Sequence, residues 1–390
     1  MNKIFVTGGA GFIGSNFVRL FAQEGAVQIL NVDKLTDAGH SPYLSDFEGL
    51  ANYRLEQLDL ASPGERLSEL MHAFQPDTVI HFAAESHVDR SIDAPGAFIQ
   101  TNIVGTYNLL QASLDYWKRL PEADDAPSPI HAVGASLRDR QRQLATTVAT
   151  PEQDPSSQAN HQPSQESFRY LHVSTDEVFG SLGPDHEPFD EGSNYRPRSP
   201  YAASKAASDH LVMAWYHTYG LPAMVTNSSN NYGPCQLPEK LIPLVILNGL
   251  LNKPIPVYGT GHNIRNWMHV HDHCRAIAEL VKHGRVGESY LIAGDRELRN
   301  LDLIQQLCAV LDEELPAGGG KKYAERITFV PDRPGHDYRY SIDSSKIRRE
   351  TAWSPSVEFE SGLRETVRWY LSNREWLAEQ ARRCSLPDCG

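Results

Sequence analysis

Lys3-Ile4-Phe5-Val6-Thr7-Gly8-Gly9-Ala10-Gly11-Phe12-Ile13-Gly14 opens the chain, and its reading decides the fold. A short apolar run leads into glycines spaced three apart, and a segment carrying Phe17, Leu20 and Phe21 follows. The run predicts a buried strand and the segment an amphipathic helix. Between them Gly8, Gly11 and Gly14 allow a tight turn, close approach of backbone to a pyrophosphate, and close packing of helix on strand, with phosphates at the helix amino end. The next apolar run, Gln28-Ile29-Leu30-Asn31-Val32, ends in Asp33, 19 residues beyond Gly14. An acid at this spacing accepts hydrogen bonds from an adenosine ribose and repels a 2'-phosphate, which favours NAD over NADP. The fold class expected is α/β, a Rossmann-type doubly wound parallel sheet with a smaller mixed α/β substrate-binding lobe.

Further strands are expected at Tyr53 to Leu58, Thr78 to Phe82, Tyr170 to Ser174 and Ala223 to Asn227. Asp59 follows the first of these and has two readings, an acid at the adenine edge or the N-cap of the next helix. Phe82, Ala83 and Ala84 end the second, where small residues let a cofactor lie against the backbone. A helix is expected from about Asn102 to Trp117, with Ile103, Tyr107, Leu110 and Leu114 on one stripe. From about Arg119 to Ser167 the periodicity collapses into Pro, Ser, Ala, Gln and Asp, which predicts a disordered surface insertion with room for one short helix at Ser136 to Leu144. The expected division is a dinucleotide domain over 1–232, a substrate lobe over 233–383 with some return segments, and a mobile tail over 384–390.

The chemistry gathers between Ser174 and Lys205. Thr175, Asp176 and Glu177 sit at the exit of a buried strand, and the crevice beyond strand carboxyl ends is where ligands bind in open parallel sheets. Two neighbouring carboxylates push their pKa values apart, which favours one protonated acid and one ionised base. Downstream, Ser199-Pro200 reads as an N-cap followed by proline at the first helical position. Tyr201 and Lys205 then share one helix face. A tyrosine acting as base at neutral pH needs its pKa lowered by roughly 3 units, about 4 kcal/mol of differential stabilisation, which Lys205 and a cationic nicotinamide ring together can supply. A Tyr-x-x-x-Lys pair alone is also what an ordinary surface helix shows; the surrounding motifs decide between the two.

Composition sets outer bounds. The 390 residues are 40% hydrophobic and 22% charged, enough for a full core and two lobes. No apolar run approaches ~20 residues, so no membrane span is expected. Five scattered cysteines without CxxC pairing point to a reducing cytoplasm. A formal charge of -13 disfavours nucleic acid and requires any anionic substrate to meet a local basic pocket, for which Lys240, Arg265, Arg333 and His336 are the candidates. His269, His271 and His273 alternate and could share a strand face, but no cysteine or carboxylate spacing supports a metal, and Asp272 reads as the cap of the following helix. No metal is expected.

TGGAGFIGS, NVDKLTDAG, HFAAESHVDRSI, TNIVGTYNLL, HVSTDEVFG, SPYAASKAASDH, SNNYGP, EKLIPL and DRPGHD together resemble the dTDP-glucose 4,6-dehydratases of the extended short-chain dehydrogenase/reductase superfamily. The resemblance spans the chain apart from the insertion and the tail. It implies that NAD takes a hydride from C4 of the glucosyl unit while Tyr201, assisted by Lys205, removes the 4-hydroxyl proton. Glu177 then removes the C5 proton, Asp176 protonates the departing C6 hydroxyl, the hydride returns to C6, and Thr175 bonds the sugar near its 4-oxygen. It assigns Phe12, Ile13, Asp33, Lys34, Leu35, Thr36, Asp59, Leu60, Thr101 and Asn231 to NAD. To the nucleotide sugar it assigns Ser86, Asn230, Lys240, Leu241, Pro256, Val257, Tyr258, Arg265, Asn300, Asp332, Arg333, Pro334, Gly335 and His336. A homodimer packed through the Asn102 and Tyr201 helices is also implied. The chain departs from the family pattern at Asp37, His40, Phe179, Asn266 and His271, none of them a proposed catalytic group. Two other readings stand beside this one: a dehydratase or 4-epimerase acting on another nucleotide sugar such as UDP-glucose, and a noncatalytic NAD-binding regulator using the insertion as its partner arm.

Overall fold

The computed structural model describes residues 1–23, 25–36, 41–122 and 163–384. The Ser136 to Leu144 helix, most of the insertion, Asp37, His40 and residues 385–390 of the tail lie outside them. Among the described residues the strands are β1 (Lys3–Thr7), β2 (Gln28–Asp33), β3 (Tyr53–Gln57), β4 (Thr78–His81), β5 (Arg169–Thr175), β6 (Ala223–Ser228), β7 (Asn230–Tyr232), β8 (Ile255–Tyr258), β9 (Ile264–His269), β10 (Ser289–Ile292), β11 (Arg296–Arg299) and β12 (Ile327–Val330). Seven of these form one sheet in the order β10-β6-β5-β4-β1-β2-β3, every pairing parallel. The chain steps outward from β1 to β3 and then returns to the other side of β1, so the strand order reverses between β1 and β4. That reversal opens a crevice at the strands' carboxyl ends.

Alternation along each strand feeds two cores. Ile4, Val6, Ile29 and Ile80 join Phe17, Val18, Ile277 and Leu280 on one face. Phe5, Leu30 and Val79 join Leu67, Leu109, Leu110 and Val212 on the other. A third core gathers Ile246, Val257, Trp267, Leu307, Leu363 and Tyr370 around the small sheets β11-β9-β7 and β12-β8. β10 and the helix Val270–His283 return to the main sheet and its Phe12–Ala22 helix. No helix among the described residues is long and apolar enough to cross a membrane.

Several local expectations are corrected. The helix expected from Asn102 is preceded by a π-helical stretch, Ile99–Val104, and becomes α-helical at Gly105–Trp117. Asp59 does not cap the next helix: Gly64 does, and the Asp59 carboxylate accepts the Ala61 N–H instead. The three histidines share no strand face, because β9 ends at His269 and the Val270–His283 helix begins there. The His269 side chain, not that of Asp272, caps this helix, while Asp272 accepts the Ser356 and Val357 N–H groups. His271 is exposed, and buried His273 bonds Asn231. The two ends of the insertion close on each other, with Gln165 N donating to the Pro121 carbonyl and Trp117 Nε1 to that of Gln165.

Candidate active site

The crevice at the reversal is lined by the first glycine loop, the ends of β2, β3 and β4, and the start of the Pro200–Tyr219 helix. Gly8 holds φ +74°, and a Cβ there would lie 2.5 Å from Ala83 N; one on Gly14 would lie 2.2 Å from the Gly8 carbonyl oxygen. Both positions therefore require glycine. A Cβ on Gly11 would meet nothing nearer than that oxygen at 3.4 Å, so bare backbone faces the crevice above a helix amino end. A pyrophosphate fits such a cradle. Asp33 anchors its carboxylate on Ala10 N at 3.0 Å and Leu35 N at 2.9 Å, at the edge where a ribose would lie.

Phe12, Ile13, Lys34, Thr36, Asp59, Leu60, Phe82, Ala83, Ala84, Thr101, Tyr201 and Lys205 line the same crevice, as the sequence led us to expect. Leu35 and Asn231 are not among its lining residues. The Asn231 side chain is spent internally on Ser228, the Ser229 carbonyl and His273. Lys34 Nζ bonds Glu85 at 3.0 Å and Thr101 at 3.1 Å. Ser174, at the start of the polar run, lines the crevice too, as do Glu85, His87, Arg90, Val173, Gln236, Leu237 and Glu239, to which no role was assigned from the sequence.

The turn after β5 is held from below. Val178 and Phe179 are buried against Ala206, Leu291 and Ile342, with the Phe179 ring 5.3 Å from Phe189 and 5.0 Å from Tyr195. Thr175 caps the turn by accepting the Glu177 N–H. The apolar half of Asp176-Glu177-Val178-Phe179 is thus locked in the core, which fixes the acidic half. Burial, then the Glu177 charge, pushes Asp176 up to about 8. Burial also raises Glu177, but the cations Arg333, Lys240 and Arg265 pull it back. One carboxyl is thereby kept protonated at neutral pH, while the cations limit the rise of its neighbour.

Ser199 accepts the Ala202 N–H at 3.1 Å and Pro200 takes the first helical position, so the predicted cap is present. Tyr201 and Lys205 lie in the first two turns and are both buried. Burial and then Glu177 raise the Tyr201 pKa, against a hydrogen bond with Thr175 that lowers it. Lys205 does not reach the phenol as a direct partner. Its ammonium donates to the Val173 carbonyl at 2.8 Å and lies 3.2 Å from His172 Nε2. Burial brings Lys205 down to about 8, and Asp209 opposes that. His172 and Asp209 were missed from the sequence. Their signals were there: Asp209 repeats the i, i+4 spacing after Lys205, and His172 shares a strand face with Ser174.

Three of the expected cations, Lys240, Arg265 and Arg333, act on Glu177, while burial lowers His336, which does not; all four are already engaged. Lys240 Nζ donates to the Ser86 carbonyl at 2.8 Å, Arg333 pairs with Asp89 at 3.1 Å, and His336 Nδ1 sits 2.6 Å from Asp332. Arg265 donates to the Ile264 and Asp337 carbonyls and stacks over Tyr340 at 4.2 Å. Asn230 Oδ1 and Asn300 Oδ1 are buried without a partner, acceptors left for a ligand's donors. Tyr258 stands exposed on β8, one strand position beyond Val257 and two beyond Pro256. Leu241 opens the helix Leu241–Leu250, and Pro334 and Gly335 continue the Asp332–His336 turn.

The chain matches the model of the NAD dependent epimerase/dehydratase family over residues 4–293. It is 48% identical over 379 residues, 96% of this chain and 95% of the other, to a dTDP-glucose 4,6-dehydratase of Neisseria meningitidis. Among solved structures it resembles a dTDP-glucose 4,6-dehydratase of Streptomyces venezuelae with NAD and dTDP bound, at 38% identity and TM-score 0.78, covering 97% of this chain and 99% of that one. It also resembles one of Bacillus anthracis in complex with NAD, at 36% identity and TM-score 0.76, covering 97% and 100%.

Proposed function

The chain belongs to the NAD dependent epimerase/dehydratase family, and from that premise we propose that it removes water from dTDP-glucose, giving dTDP-4-keto-6-deoxyglucose for deoxysugar synthesis. The observation that supports dehydration most is the Asp176–Glu177 pair, one carboxyl kept protonated and its neighbour surrounded by cations. Bound NAD supplies the hydride acceptor for C4, the donor for C6 and a positive ring charge that favours a phenolate.

The chain's own residues do the rest. Tyr201 receives the 4-hydroxyl proton as the C4 hydride leaves, which gives a 4-ketone and makes the C5 proton acidic. Glu177 takes that proton as Asp176 gives its own to the 6-hydroxyl, so the C6–O bond breaks and water departs. Hydride addition at C6 and return of a proton to C5 complete the product. Thr175, bonded to the Tyr201 phenol, holds the 4-oxygen. Lys240, Arg265 and Arg333 receive the diphosphate, and Asn230 and Asn300 offer their open acceptor oxygens to the ligand. In this reading residues 1–232 mainly bind the cofactor and 233–383, with some segments returning to the large sheet, mainly the nucleotide sugar.

A 4-epimerase needs the C4 step alone and has no use for an acid and base at positions 176 and 177. We assign the assembly as a homodimer. Ile99 is 50% and Tyr107 45% exposed, and Tyr107 packs edge-on against Trp215, which in turn meets Tyr219. An apolar strip thus crosses the two helices expected at the interface.

Incubation with dTDP-glucose or UDP-glucose, followed by the alkali-induced absorbance of a 4-keto-6-deoxy sugar, tests the reading. Product from dTDP-glucose supports it. Product from UDP-glucose alone would retain the chemistry and overturn the base assignment, and product from neither would overturn the function.

A further inference from the structure

Beneath the crevice Lys205 belongs to a polar cluster whose other members, His172 and Asp209, the proposed steps leave without a role. Lys205 is 3%, Asp209 2% and His172 0% exposed. His172 Nε2 stands between Lys205 Nζ at 3.2 Å and Asp209 Oδ1 at 3.3 Å. Asp209 Oδ2 accepts from Ser174 Oγ at 2.9 Å, Tyr195 OH at 3.0 Å and Asn227 Nδ2 at 3.0 Å. Asn227 Nδ2 also donates to the Thr175 carbonyl at 3.1 Å. From β4, His81 faces His172 with ring centroids 5.0 Å apart, and its own nitrogens are engaged by Thr7 and Thr106.

We propose that Asp209 is a positioning residue for the C4 oxidation: from the far side of His172 Nε2 its carboxylate supplies, by charge and without a hydrogen-bond relay, what keeps the Lys205 ammonium ionised one helical turn from Tyr201. This rests on the roles given above to Tyr201 and Lys205. The alternatives for neutralising that ammonium are few. His81 and His172 are both held neutral by burial, and the nearby Lys205 charge opposes their protonation further. The Val173 carbonyl offers a dipole without a net charge. Asp176 and Glu177 act on Tyr201 and not on Lys205, whereas Asp209 acts on both, favouring the Lys205 ammonium and, less than burial and Glu177 do, raising the Tyr201 phenol. A buried ammonium that loses its counter-ion sheds its proton more readily. The same carboxylate reaches the Thr175 turn through Asn227, so one group braces both the oxidation and the elimination sides of the site.

Asp209→Asn keeps the shape and exchanges charge for none. The oxidation can be isolated with dTDP-6-deoxyglucose, which has no 6-hydroxyl to lose, by following the absorbance of reduced nicotinamide in a single turnover across pH. The expected result is that the alkaline limb of the variant moves to lower pH by about one unit, so that where the wild type is half-maximal the variant runs roughly fivefold slower. Denaturant midpoints of the full chain give a second readout that needs no substrate. Lys205→Met should recover most of the midpoint lost in Asp209→Asn, because it removes the uncompensated charge. A superimposable alkaline limb, or additive midpoints for the two substitutions, overturns the proposal. If the wild type oxidises no nucleotide sugar, the functional reading fails, and the midpoints still decide whether Asp209 neutralises Lys205.

Discussion

Asp176 and Glu177 are adjacent and differ by one methylene, yet the surroundings separate them. Asp176 is 3% exposed and held at about 8, so elimination loses its acid as pH rises through that value. Glu177 is raised less freely because three cations face it, so the base is lost as pH falls through its own raised value. A bell-shaped profile for dehydration is the expected outcome, and Asp176→Asn should remove product formation while C4 oxidation persists. Stability supplies an independent check. A carboxyl whose folded pKa lies above its unfolded value binds its proton more tightly in the fold, so it destabilises increasingly from about pH 4 to about pH 8. Asp176→Asn should therefore stabilise the chain at pH 8, by on the order of 2 kcal/mol, and much less at pH 4, as read from urea midpoints. The pairing of unlike carboxyls was legible in the sequence, because adjacent acids at a strand exit leave few other readings. Which cations oppose them was only partly legible. Arg265 and Arg333 were named as phosphate ligands, but their present partners, the Asp337 carbonyl and Asp89, come from segments that sequence distance does not connect.

The Pro200–Tyr219 helix places both Tyr201 and Lys205, and Ser199 starts it. Ser199→Ala should cost about 1 kcal/mol of stability. Because the first two turns hold the reacting groups, kcat should fall more than KM rises, and steady-state kinetics beside a urea titration separates the two effects. The start of this helix was legible, since cap, proline and i, i+4 pair all stand in the sequence; its end, at Gly220 with φ +77°, was not read there. The element before it was not legible. Ile103, Tyr107, Leu110 and Leu114 have helical spacing whether or not one extra residue is accommodated upstream, so the π-helical Ile99–Val104 leaves no signature in apolar periodicity. Its consequence is local. Asn102 reaches Ser204 Oγ at 2.8 Å and the Glu85 carbonyl at 3.0 Å, stitching the crevice wall to the catalytic helix.

Across the whole molecule the seven-stranded sheet follows from the glycine loop and the alternation of apolar runs with helical segments, each long enough to bury a strand on both faces. The small sheets were less legible. β7, β9 and β11 have only three to six residues each and pair out of chain order, so neither length nor neighbourhood announces them. The histidine alternation misled for the same reason, since a strand ends and a helix begins within it. The proposed homodimer would bury the apolar strip over Ile99, Tyr107 and Tyr219, which are exposed in the single chain. Replacing Ile99 and Tyr107 together by glutamate should halve the mass seen by light scattering while leaving the circular dichroism unchanged; an unaltered mass would place the dimer contact elsewhere. One measurement bears on the reaction as a single intramolecular sequence. With dTDP-glucose deuterated at C4, NMR of the product should show that deuterium at C6, and one deuteron from solvent at C5 when the reaction runs in heavy water with unlabelled substrate. Deuterium retained at C4, or washed out altogether, would contradict hydride return within one site and with it the dehydration assigned to Asp176, Glu177 and Tyr201.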